Sequence, residues 1–554
     1  MSDAERSDRL DRVIAVSLAL GYLVLLLAGV RSLGYTRDEG FYMQCAKGIE
    51  AWFSRIAEDG FGAFEQSSRD RAFACTREHP GLMKTLFAAS HALFHERFEL
   101  FRESGTAYRL PGMSTGALAV GVLYIWGRQA AGRAAGVVAA LGFAFLPAVF
   151  FHAHLACFDV AVAALWLVTS YAYFRSLAEP RYGFAVATGV LYGLFLDTKH
   201  NAWLLPFALV GHFALLRGYE RLTGAARYGR RVPAGLIALV TLGPLVFYLL
   251  WPWIWADTRE RLLDWVRFHV GHDYYNMEFL GRTYWKPPMP RLYAWVMTLA
   301  TVPAVLLVLF AIGLVGSALS ARRSRDSARF ALDSLWLIGL LTAYAPWLST
   351  NTPIFGGTKH WLAAYPFLCL FAARGFQLVA TQLAELRALS QLRSELRETA
   401  LAFTCLIAPA AMALHSHPWG LTFYTPLVGG APGAASLGLN RSFWGYTTGA
   451  LTAELNQRAP SGASVYVHDT ALQSWEILRA DGRVRRDLRP TLALHTSRLA
   501  LYHHEAHMRR VEYETWILYG TRAPVAMGAY DGVPVIWMYQ ALGSLAPSKS
   551  PESR

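Results

Sequence analysis

Residues 81–94 read GLMKTLFAASHALF, and whether this run crosses a bilayer fixes the side on which every later segment lies. The run is shorter than the roughly 20 residues that the hydrocarbon layer requires. It is also interrupted by Lys84, Ser90 and His91, which suits a helix lying in or dipping into the interface. Counting it as a span would put the arginine-rich loops outside. Leaving it out gathers the loops 128–133, 175–181, 217–231, 322–329 and 387–397 on one side with the N-terminal arginines, as the positive-inside rule asks of cytoplasmic loops.

Working outward, the chain of 554 residues is 54% hydrophobic and only 16% charged, more apolar than one soluble core would need. Apolar runs that start near residues 12, 108, 133, 158, 182, 202, 232, 290, 330, 360 and 398 predict a polytopic α-helical membrane protein of about eleven crossings. The formal charge of +13 then belongs to cytoplasmic loops, not to a nucleic-acid surface. The opening MSDAERSDRLDR precedes a long apolar run without a small-residue cleavage site, so it reads as a retained first span. This topology exposes the loops 32–107, 152–159, 197–201, 254–289 and 350–359 externally.

Residues 1–416 are thus expected to form a transmembrane domain and 417–554 a small external α/β domain. In the latter, Val465-Tyr-Val-His reads as a strand, 470–480 as a helix, and Asp531-Gly532 as a tight hairpin turn. Five cysteines make no metal pattern. Cys45 and Cys75 share the long external loop, and two free thiols are expected there in preference to a disulfide.

Chemistry concentrates at the external loops. Tyr35-Thr-Arg-Asp-Glu-Gly-Phe-Tyr42 places an acidic pair just beyond the first span. A carboxylate there can act as general base, or Thr36 or Asp38 can simply cap the helix that follows. Thr76-Arg-Glu-His-Pro-Gly-Leu-Met-Lys84 combines an acid, an imidazole and two cations. It fits a phosphate or metal site, and equally a loop whose cations meet lipid head groups. Asp159 stands at the edge of a span, as a functional group or a snorkelling helix end. Lys199-His200 and Lys359-His360 are Lys-His pairs at external turns, either phosphate clamps or interfacial anchors.

His269 and His272 form a metal or substrate site only if their loop folds over the first. His503-His-Glu-Ala-His507 lacks the glutamate of the zinc-protease helix and is expected to be a solvated helix face. Trp251-Pro-Trp-Ile-Trp255 suits an interfacial aromatic belt, though such rings also stack on sugars.

Over about residues 12–440 these elements resemble the GT-C superfamily of membrane glycosyltransferases, in its protein O-mannosyltransferase and aminoarabinose-transferase branch. Asp38-Glu39, Glu78-His-Pro-Gly-Leu-Met-Lys84, Phe158-Asp159, Gly193-Leu-Phe-Leu-Asp-Thr-Lys199 and Lys359-His-Trp-Leu-Ala-Ala-Tyr-Pro366 follow that family's order. The chain departs from it in having Gly81 where a second proline is common, and it carries no tandem sugar-binding repeat. The resemblance implies inverting transfer from a polyprenyl-phosphate sugar to a protein, lipid or cell-envelope glycan at the external face of a bacterial plasma membrane.

In that scheme Asp38 is the base, and Glu39 and Glu78 orient the acceptor or hold a metal. Lys84, Lys199 and Lys359 meet the phosphate, with His79, Asp159 and His360 beside the substrate. No cofactor is assigned, and a divalent metal stays open. The alternative is a carrier or flippase of polyprenyl-linked glycans, but such proteins tend to place ionisable residues at mid-bilayer in related halves.

Overall fold

The computed structural model describes residues 3–542 apart from 180, 226, 229–230 and 387–392. Among the described residues, eight helices are long and apolar enough to cross a membrane. A bent pair, Arg133–Ala144 and Pro147–Ala153, adds a broken span. Pro147 marks the 66° break, since its ring cannot continue the hydrogen-bond ladder of the helix before it. Two shorter apolar helices, Tyr182–Leu196 and Ala234–Leu250, lie where two further crossings were expected. The chain is an integral membrane protein.

Helix Tyr365–Ala384 lies at the centre of the bundle: the span containing it is 83% buried, against 22% for the spans Glu5–Ser32 and Ala304–Arg323 at the periphery. Arginines in the basic loop 128–133 and in helix Tyr365–Ala384 are tied to acids. Asp11 holds Arg128 and Arg133 at 2.5 and 2.7 Å, and Asp333 holds Arg374 at 2.9 Å. The Arg387 side of the last basic loop lies outside the described residues.

The first span α1 (Asp3–Gly29) leads into the long loop, which is folded throughout. It contains α2 (Arg37–Asp59), α3 (Gln66–Phe73) and α4 (Leu82–His91), before α5 (Ser104–Ala131) re-enters the bundle. Helix α4 is the run on which the topology turned. Its 10 residues rise about 15 Å, roughly half the hydrocarbon thickness, and it packs between α2 and α5 without spanning.

The expectation of free thiols is corrected: Cys45 and Cys75 form a disulfide. Helix α2 and the turn after α3 bring their Cα atoms to 5.4 Å, within bonding range.

The loop 254–289 ends in a small ribbon of β1 (Met277–Phe279) and β2 (Arg282–Tyr284). Beyond the last span the chain builds a five-stranded sheet in the order β4-β3-β5-β7-β6. Its strands are β3 (Ser464–Val467), β4 (Arg489–Thr491), β5 (Leu499–His503), β6 (Ala526–Tyr530) and β7 (Val533–Gln540). Strands β3, β4 and β5 pair in parallel, and β5, β7 and β6 antiparallel. Asp531 and Gly532 both take positive φ in the β6–β7 turn, the conformation for which an Asp-Gly pair is suited.

This unit docks on the beginning of α2 through helix Leu472–Ala480. The approach is close: a Cβ on Gly40 would stand 2.5 Å from the backbone nitrogen of Ser474. Only glycine permits this contact. The strap between α1 and α2 is gripped from the same side. Ser474 Oγ donates to the Thr36 carbonyl at 2.8 Å, Arg483 to the Leu33 carbonyl at 2.7 Å, and Tyr35 donates its hydroxyl to Asp481.

Candidate active site

Thr36 starts α2, accepting from the Glu39 amide at 3.3 Å while the Glu39 carboxylate accepts from the Thr36 amide at 2.9 Å. This capping box fixes the first turn of α2. Adjacent acids on that turn therefore point apart. Asp38 faces a cavity of about 440 Å³, whereas Glu39 is fully buried among protein groups.

Arg109 of α5 grips Glu39 from Nε at 2.7 Å and Nη2 at 3.0 Å, and the Ala156 amide adds a third donor at 3.0 Å. The expectation that Glu39 meets an acceptor or metal is corrected: its oxygens are occupied, and it anchors the segment carrying Asp38. The capping alternative holds for Thr36 and Glu39, and the cavity-facing one for Asp38.

All five loops expected on the external side converge on this cavity. Asp38, Glu78, His79, Asp159, Lys199, Lys359 and His360 all line it. Lys359 Nζ lies 3.4 Å from Asp38 Oδ2 and 4.0 Å from the Trp444 ring centre. Lys199 Nζ lies 2.8 Å from Asp159 Oδ1. Each lysine thus reaches the cavity already paired with a carboxylate.

His79 packs edge-on to Tyr42 and Phe158, and burial, reinforced by Lys199, pushes its pKa well below the usual histidine value. His360 is shifted down likewise by burial and by Lys359, and its Nε2 accepts the Phe355 amide at 3.0 Å. Both rings are neutral at physiological pH.

Lys84 is the other correction. Instead of reaching the cavity, its fully buried ammonium donates to the carbonyls of Cys75 and Thr76 at 3.0 and 3.1 Å. Burial brings its pKa down to about 8. Across the motif, Asp197 accepts the Gly81 amide at 3.1 Å, and its carbonyl accepts the Leu82 amide at 3.1 Å. Lys84 and Asp197 therefore fasten the turn that presents Glu78 and His79.

The loop 254–289 does fold over the first loop. The Glu78 carbonyl accepts from Trp265 Nε1 at 3.0 Å and from His269 Nε2 at 2.8 Å. Arg261 pairs with Asp70 below them. Trp251 and Trp253 pack inside this fold, so that part of the aromatic stretch is core and not an interfacial belt.

Sequence reasoning missed the wall formed by Asn276, Glu278 and Glu505. The stretch 503–507 is no solvated helix face: His503 ends β5 in the interior and Glu505 lines the cavity. His507 bridges Glu278 at 3.2 Å and Glu505 at 3.5 Å. Burial raises the Glu505 pKa. Burial also opposes ionisation of Glu278, but the hydrogen bonds from His507 and Thr283 outweigh it and leave its pKa lowered. Two carboxyls around one imidazole are thereby pushed apart in acidity. The glutamates belong to different loops, and no spacing in the sequence signals their meeting.

Residues 89–251, from within α4 to the end of helix Ala234–Leu250, match the family model described as dolichyl-phosphate-mannose-protein mannosyltransferase. No curated protein matches the chain significantly. Among solved structures, the chain is similar to ArnT from Cupriavidus metallidurans bound to undecaprenyl phosphate, with 14% identity, a TM-score of 0.47, and coverage of 97% of this chain and 99% of that one. It is also similar to the apo oligosaccharyltransferase of Archaeoglobus fulgidus, with 12% identity, a TM-score of 0.47, and coverage of 92% and 71%. The archaeal oligosaccharyltransferase AglB in complex with an inhibitory peptide and a dolichol-phosphate gives 13% identity, a TM-score of 0.44, and coverage of 90% and 70%.

Proposed function

We propose, taking the match of residues 89–251 to a lipid-linked mannosyltransferase family as the premise, that the chain is a GT-C-type membrane glycosyltransferase. It transfers a sugar from a polyprenyl-phosphate donor to an acceptor hydroxyl or amine at the external face. The single observation that carries this reading is the meeting of Asp38 with Lys359 in a cavity at the end of the bundle opposite the basic loops. A carboxylate base and a cation for a leaving phosphate are the two groups that such a displacement needs.

In the reaction the acceptor heteroatom attacks the anomeric carbon, and its proton passes to Asp38. The bond between that carbon and the phosphate oxygen breaks, and polyprenyl phosphate leaves with the electron pair. One displacement inverts the anomeric configuration. Lys359 and Lys199 exchange their carboxylate partners for the phosphate, which frees Asp38 as donor binds. Neutral His79 and the Glu78 carboxylate shape the sugar pocket, and the wall of Glu278 and Glu505 receives the acceptor. Positioning these groups at one end of the bundle, and not at mid-bilayer, favours transfer over carriage.

The test is transfer of radiolabelled sugar from a panel of polyprenyl-phosphate sugars, in membranes holding equal amounts of the native chain or Asp38→Asn. Loss of a positioned base costs about 10²–10⁴-fold in turnover. Equal transfer by both proteins removes Asp38 as base. Absence of transfer by the native chain on every donor rejects the transferase reading.

A further inference from the structure

Outside the cavity, the end of α4 gathers a second group of ionisable side chains. The residues that follow it, Ala92–Arg97, form a π-helical turn. In a regular α-helix, at about 100° per residue, Glu96 would sit roughly 140° around the axis from His91. The wider π turn swings it back, so His91, His95 and Glu96 share one face. One ligand atom from each lies within 4.8 Å of the other two. Glu96 Oε1 is 3.8 Å from His91 Nε2 and 3.8 Å from His95 Nε2.

Each ring meets an oxygen on its far side. His95 Nδ1 lies 2.8 Å from the Phe101 carbonyl, which can only accept, so that nitrogen carries the proton and Nε2 keeps its lone pair. His91 Nδ1 lies 3.0 Å from the Glu50 carboxylate, close enough for a charge contact. The His91 ring is further held by stacking on Tyr108, with centroids 4.2 Å apart and planes within 2°. Ser104 Oγ lies 2.9 Å from His91 Nε2. Two imidazoles, the His95 ring with its lone pair turned inward by its carbonyl partner, and one carboxylate make up a donor set typical of a transition-metal site.

We propose that His91, His95 and Glu96 bind one divalent transition-metal ion of the zinc class, with Glu50 and the Phe101 carbonyl as outer-shell partners. Tetrahedral coordination with bonds of about 2.0–2.2 Å needs ligand atoms about 3.3–3.5 Å apart, which small side-chain rotations from the present spacing supply. Imidazole nitrogen with one carboxylate oxygen selects zinc over calcium or magnesium. The fourth position falls to water or the Ser104 hydroxyl. Glu96 is 64% exposed and His91 only 6%, so the ion enters from solvent and is held from within. Its effect is to fasten the end of α4 to the turn at Phe101 and the start of α5, closing the long loop where it re-enters the bundle.

The test uses the full chain in detergent, stripped with chelator and dialysed against buffered Zn²⁺, with bound zinc counted by elemental analysis and thermal midpoints recorded. The native chain is expected to hold one equivalent more than His95→Ala or Glu96→Gln, and zinc is expected to raise the midpoint of the native chain alone. Glu50→Gln, which touches no ion, should weaken binding about 10–100-fold through the outer shell. Zinc bound equally by all four proteins would place any ion elsewhere and overturn the site. Absence of bound zinc on the native chain would overturn it as well. Should His95→Ala fail to fold, the solvent-facing Glu96→Gln and Glu50→Gln carry the comparison.

Discussion

Lys359 Nζ lies 3.4 Å from Asp38 Oδ2, joining residues 321 positions apart in the sequence, and the Trp444 ring 4.0 Å from the same ammonium keeps it in place. Replacing Lys359 with methionine removes the cation but keeps the apolar stem. The expected result is a donor KM raised about 10–100-fold, the size of one charge-assisted hydrogen bond to phosphate, with a further fall in turnover. Steady-state transfer at varied donor concentration measures this. An unchanged donor KM would assign the phosphate to Lys199 alone.

Glu39 and Arg109 should behave differently from Asp38. Their side chains are 0% and 1% exposed, and removing either partner leaves a buried charge without its counterion. Glu39→Ala and Arg109→Met are each expected to destabilise the fold by about 3–5 kcal/mol. Thermal denaturation in detergent reads this as a large fall in midpoint, whereas Asp38→Asn should melt close to the native protein. A native-like midpoint for Glu39→Ala would reject the anchoring role.

The neutral histidines give stability a pH dependence. Burial holds His269 down to about 4, against an ordinary histidine value of 6.5. Between those values the unfolded chain binds a proton that the folded chain refuses. Stability is therefore expected to fall as pH drops from about 6.5 towards about 4, with His79 and His360 shifted in the same direction. His269→Asn should make the slope shallower by about one proton, or roughly 1.4 kcal/mol per pH unit. Chemical denaturation across that range measures the slope, and an unaltered slope in the variant would count against a buried neutral His269.

The disulfide links positions 30 apart, so it constrains the unfolded loop. Cys45→Ser is expected to cost about 3–4 kcal/mol, as is mild reduction of the native chain. Loss of midpoint on adding reductant, absent in Cys45→Ser, checks it. Equal midpoints with and without reductant would show that the pair carries no stability.

Much of the architecture was legible because the bilayer makes local demands. A span needs about 20 apolar residues, and short apolar runs such as α4 fail that test wherever they lie. The order of helices, the failure of α4 to span, the Asp531-Gly532 hairpin and the clustering of polar motifs at one end all follow from patterns within a few residues. Asp38, Glu78, His79, Asp159, Lys199, Lys359 and His360 stood out for the same reason: ionisable groups beside apolar runs are costly without a purpose.

What each motif residue touches was decided elsewhere. Asp38 and Glu39 are neighbours in sequence, yet a helical turn of about 100° per residue sends one to the cavity and the other to Arg109. Lys84 carries the same charge as Lys359, but carbonyls of its own loop claim it first. Glu278 and Glu505 become neighbours only when the β1–β2 ribbon and the segment after β5 meet at His507. The sequence by itself determined the spans, the folded loop and the segments that carry ionisable groups, since hydrophobic periodicity and turn chemistry act locally. Only the tertiary structure decided which of those groups share a cavity and which are spent holding it, because burial and pairing depend on chain segments hundreds of residues apart.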